Sequence, residues 1–69
     1  MENKYIELNA FLKVQGLVAT GGKAKLLIRS GLIKVNEEVE TRNRRKLHDK
    51  DVVEYEDKKY VVEESIIKK

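Results

Sequence analysis

Two short apolar repeats, each closed by a glycine, constrain this chain more than any other feature. Leu8, Phe11 and Leu12 recur at i, i+3, i+4 ahead of Gly16, and Ala24, Leu27 and Ile28 repeat that spacing ahead of Gly31. The period places three apolar side chains on one stripe of a helix. Glycine ends a helix because it enters the left-handed region without a Cβ clash. The pattern predicts a first helix from about Asn9 to Gln15, with Asn9 as its N-cap. Thr20, Gly21 and Gly22 precede a second helix. Neither stripe can be buried by its own helix, so the two must pack against each other and against something more.

The remaining chain supplies that partner. Leu32, Ile33 and Val35 read as a strand, Asn36-Glu37 as a tight turn, and Val39 as renewed extended chain. Thr41 to Lys46 holds no apolar residue and reads as a loop or an exposed edge. Leu47 returns to the core, and Asp49-Lys50-Asp51 turns. Val52 to Tyr55 is a strand, Asp57-Lys58 turns again, and Tyr60 to Val62 comes back. At the front, Met1 to Lys4 reads as frayed and Tyr5-Ile6-Glu7 as a short edge strand. Ile66 and Ile67 add little packing, and Leu26 fits neither helix face, so it belongs at the rim or against the first helix. The order βααββββ makes an α+β domain, two short helices packed on a small antiparallel sheet.

Sixty-nine residues allow one domain, 1–69, with a core over about 6–62. A chain this short buries only about 60% of its unfolded surface, so its core is small. There is no cysteine and a single histidine, His48, so neither a disulfide nor a thiolate or imidazole-rich metal site is expected. No cofactor is expected either. No apolar run approaches the ~20 residues of a membrane span, and none near the start resembles a signal peptide. A soluble, cytoplasmic monomer is the expectation.

The charge is unevenly spread. Residues 1–50 carry 11 Lys/Arg and 6 Asp/Glu, whereas residues 51–69 carry 4 and 6, which gives +5 against −2. From Leu8 to Asn36 there is no acid at all, while Lys13, Lys23, Lys25, Arg29 and Lys34 are cationic. Arg42, Arg44, Arg45 and Lys46 follow within a few residues. Positive charge concentrated on a helix-turn-strand scaffold suits an anionic polymer.

Leu8-x-x-Phe11-Leu12, then TGGKAKLLIRSGLIKVN from Thr20 to Asn36, then Lys50-Asp51-Val52-Val53, resemble the S4 RNA-binding domain over about Ile6 to Tyr55. Residues 40–46, ETRNRRK, bring it closer to the small free-standing S4 proteins of bacteria, YaaA-like or YbcJ-like. The resemblance implies the αL motif, a helix-loop-helix with a following hairpin whose basic face binds structured RNA. It points to Gly22, Lys23, Lys25, Arg29, Lys34 and Asn36, with Arg42 to Lys46 as a flank. It further implies ribosomal RNA or ribosomal particles as partner and a role in ribosome assembly or ribosome-associated quality control. The chain departs from the family where Glu7-Leu8-Asn9 replaces Arg-Leu-Asp, Thr20-Gly21 replaces Ser-Arg, and Asn36-Glu37 replaces Asn-Gly.

The residues themselves support a non-enzymatic reading. A helix opening at Gly21-Gly22-Lys23 lets a phosphate approach free N–H groups, with Lys23 adding a charge-assisted contact. The GxxxxGK[ST] pattern of nucleotide hydrolysis is absent. Lys25 and Arg29, at i and i+4, share an outward face and with Lys13 and Lys34 track a phosphate backbone. Arg42, Arg44 and Arg45 add guanidinium forks that grip phosphate and stack on unpaired bases. Tyr5, Tyr55 and Tyr60 read as sheet-covering core residues, and His48-Asp49 has no nucleophile to serve. Two other uses fit less well: a protein-binding adaptor working through the acidic C-terminal hairpin, and an accessory module for a separate RNA-modifying enzyme.

Overall fold

The computed structural model describes residues 4–67, so the reading of Met1 to Asn3 as frayed lies outside it. The elements run β1 (Ile6–Glu7), α1 (Leu8–Val14), α2 (Gly21–Arg29), β2 (Lys34–Val35), β3 (Glu38–Val39), β4 (Lys46–Leu47), β5 (Val52–Tyr55), β6 (Lys58–Val61) and α3 (Glu64–Ile67). The class is α+β. In place of one sheet there are two, a ribbon β1-β4 and a four-stranded antiparallel sheet in the order β3-β2-β5-β6.

Helices α1 and α2 stop as their glycines dictate. Gly16 and Gly31 lie at φ 76° and 79°. The Gly16 N–H donates to the Lys13 carbonyl and the Leu17 N–H to that of Leu12; Gly31 and Leu32 repeat the pair on Ile28 and Leu27. Each set is a Schellman closure, which satisfies carbonyls that the helix leaves open. Thr20 caps α2, its Oγ1 accepting from the Lys23 N–H at 3.2 Å. Gly21 and Gly22 form the first turn of α2 rather than preceding it.

The start of α1 differs from the sequence expectation. Glu7 occupies the N-cap position with no side-chain cap, and the Asn9 Oδ1 accepts only from its neighbour Ala10 at 2.8 Å. The first-turn donors are met from far along the chain: Leu8 N–H donates to the Arg45 carbonyl at 2.8 Å and Asn9 N–H to that of Asn43 at 3.1 Å. A long-range backbone cap of this kind leaves no mark in local sequence. It also explains β4, whose two residues pair with β1 in the register Ile6↔Leu47 and Glu7↔Lys46.

The helix stripes meet the sheet in one core of Leu8, Phe11, Leu12, Ala24 and Ile28 with Ile33, Val35, Leu47, Val53, Val62 and Ile67. Leu27 is only partly buried, and Leu26 is at the rim with 64% of its surface exposed. Ile67 is buried by the short α3, so the end of the chain contributes more packing than its sequence suggests. Asn36 and Glu37 take φ 51° and 73°, the paired left-handed values of a type I′ hairpin turn. The second turn lies at Glu56-Asp57, φ 54° and 66°, one residue earlier than expected, and frees Lys58 for β6.

Candidate nucleic-acid interface

Helix α2 presents Lys25 and Arg29 on an exposed face beside its buried Ala24 and Ile28. That face borders the loop between β3 and β4. Lys25, Arg29, Thr41, Arg42, Asn43 and Arg44 line one open groove. A second depression, which shares Arg42 and Arg44 with the first, is lined by these two with Arg45 and Lys46. The fold thus joins two cationic segments that are more than ten residues apart in sequence. The loop is seated by its own carbonyls on the N-terminus of α1, where the positive end of the helix dipole favours them.

The arginines are less free than the sequence implies. Glu40 is buried, with 7% of its surface exposed. Its Oε2 accepts from the Arg42 backbone N–H at 3.0 Å and from Arg42 Nε at 2.8 Å, while its Oε1 accepts from Arg45 Nη1 at 2.7 Å. The Arg42 hydrogen bond is the main reason that the Glu40 carboxyl sits at about 2; burial pushes it upward, and Arg45 adds to the lowering. Arg44 Nε reaches the Glu7 carboxylate at 3.3 Å. Even so, the Arg42 and Arg44 side chains remain 74% and 77% exposed, against 29% for Arg45. Six cations, Lys25, Arg29, Arg42, Arg44, Arg45 and Lys46, face two carboxylates, Glu7 and Glu40, which leaves this surface at +4. The carboxylates set the directions of the guanidinium forks without cancelling their field.

Sequence alone assigns Glu40 no role of its own. Its signal was present in Glu40-x-Arg42-x-x-Arg45, an acid spaced to meet two arginines once the loop curls. Nothing local announced that this acid is buried.

The other sequence-derived residues lie elsewhere. Lys23 borders a separate recess formed by Leu17, Val18, Ala19, Leu27 and Tyr55. Gly22 sits beside it in the first turn of α2, where an added Cβ would meet only Thr20 Oγ1, at 3.9 Å. Lys13 is exposed in the last turn of α1, where it favours the helix dipole. Lys34 is exposed in β2, in register with Glu54 of β5. Asn36 is committed to the fold: its Oδ1 accepts from the Val52 N–H at 3.0 Å and its Nδ2 donates to Asp51 at 3.3 Å. Tyr55 and Tyr60 pack against the core as expected, whereas Tyr5 does not and is 40% exposed.

Among the described residues no group of three or more His, Cys, Asp or Glu is placed to hold a metal ion. No helix among them is long and apolar enough to cross a membrane.

Comparison with curated proteins and with solved structures finds no match in either case. A family model described as the S4 domain matches residues 1–63, nearly the whole chain. S4 domains are in general RNA-binding modules. With that match over most of its length and an α+β fold of three helices and small antiparallel sheets, the chain belongs to the S4 domain family.

Proposed function

We propose that this chain binds structured RNA, ribosomal RNA foremost, as a non-enzymatic cytoplasmic module acting as a monomer in ribosome assembly or ribosome-associated quality control. The observation that carries the reading is the groove that brings Lys25 and Arg29 of α2 against Arg42 and Arg44 of the loop. Recognition rests on phosphate positions and helix shape, because these side chains grip backbone oxygens and form no pocket for a base edge.

The test is a salt series. If the four groove cations each neutralise a phosphate, the log–log slope of affinity against salt is about −3.5, and affinity falls about 100-fold between 50 and 200 mM salt. Ribosomal RNA fragments are expected to bind more tightly than heparin or duplex DNA at equal salt. Equal affinity for all three polyanions removes the structured-RNA reading and leaves only non-specific charge.

A further inference from the structure

The ribbon β1-β4 has two unlike faces. Side chains alternate along a strand, so Ile6 and Leu47, which are in register, share one face and turn to the core. Glu7 and Lys46 share the other. Extending the register by one residue sets Tyr5 opposite His48 on that same outer face. The rings bear this out, with centroids 6.4 Å apart and planes inclined at 57°. Lys46 Nζ lies 5.0 Å from the Tyr5 ring centroid. Lys46 also lines the depression shared by Arg42, Arg44 and Arg45. An exposed aromatic pair therefore continues directly from a cationic surface.

We infer that Tyr5 and His48 hold an unpaired RNA base next to the phosphate-binding loop, an inference that rests on the groove being an RNA site. The rings meet at an angle rather than face to face, and this inclined pair forms a wedge on the exposed side of the ribbon. An exposed aromatic ring with a cation over its face suits a nucleotide, whose base takes the ring face while the ammonium moves to its phosphate. A perfectly paired helix offers no base to this wedge; a bulged or terminal nucleotide does. The groove on α2 positions the helix, and the ribbon selects RNA that carries an unpaired nucleotide beside it.

The chain has no tryptophan, so Tyr5→Trp places a single fluorescent reporter at the wedge. Two RNA duplexes of equal length are titrated, one perfect and one with a single bulged adenosine. Both are expected to bind with the same salt slope, and only the bulged one to quench the tryptophan. Tyr5→Leu is expected to lose about tenfold affinity for the bulged duplex and none for the perfect one, while Tyr5→Phe retains the preference. Equal quenching by both duplexes, or a Tyr5→Leu affinity loss that is absent or equal for the two, overturns the inference and leaves the groove intact. Failure of the unsubstituted chain to bind either duplex at low salt removes the groove reading and this one with it.

Discussion

Replacing Glu40 with glutamine removes one charge from a buried position that holds two arginines. The carboxyl falls from its ordinary 4.5 to about 2 in the folded chain. At about 1.4 kcal/mol per pKa unit, that fall corresponds to about 3 kcal/mol. Water reaches Arg42, whose side chain is 74% exposed, and screens the pair. The expected loss is therefore about 1–2 kcal/mol. In a domain of this size it lowers the melting temperature by about 5–15 °C at pH 7. The sign of the pH dependence follows from the depressed value. Above pH 4.5 the carboxylate is ionised folded or unfolded, and its contribution is complete. As pH falls from 4.5 toward about 2, the unfolded chain takes up the proton first and the contribution disappears. Glutamine does not titrate. Thermal melts followed by circular dichroism should thus show a gap between the two proteins that is constant from pH 7 to about 5 and closes toward pH 2. Equal melting temperatures at pH 7, or a gap that persists unchanged in acid, would refute the buried-clamp argument.

Charge reversal at the groove, Arg29→Glu or Arg44→Glu, should weaken RNA binding at least tenfold at moderate salt and reduce the salt slope by about one, with the far-ultraviolet spectrum unchanged; unaltered affinity in both removes the proposed face. Glu37→Gly should stabilise the chain by about 0.5 kcal/mol, because φ 73° strains any residue with a Cβ and glycine is the favoured partner of asparagine in this turn. A lower urea midpoint would contradict it. Asn36→Ala should cost about 1–2 kcal/mol by unpairing the Val52 N–H, and an unchanged denaturation midpoint would show that water replaces the amide without loss.

What could be read from sequence was whatever is decided within a few residues. The stops at Gly16 and Gly31 follow from local backbone preference, and the structure keeps both. The turn at Asn36-Glu37 formed although glutamate is a poor occupant, because the flanking strands fix the register on either side. What depends on distant partners was hidden. Asn9 is not the cap of α1 because carbonyls from Asn43 and Arg45 already hold the first-turn donors. β4 consists of two residues, too few for a period, and exists only through β1. The basic residues were visible as charges, but their pairing was not: Glu7 and Glu40 lie outside the acid-free stretch and return to the loop only in three dimensions. A tyrosine near a sheet usually covers it, which suggests a core place for Tyr5, whereas the ribbon face it occupies points outward.

The seating of the loop on α1 has a consequence for how such a molecule can change. Asn43 and Arg45 are gripped through their carbonyl oxygens, which every amino acid possesses. Exchanging the Asn43 side chain leaves that attachment in place, whereas the Arg45 side chain also holds Glu40. The fold therefore separates the part that anchors the loop from the part that meets a ligand, and a new RNA preference can be written at Arg44 or Lys46 without rebuilding the domain that carries it.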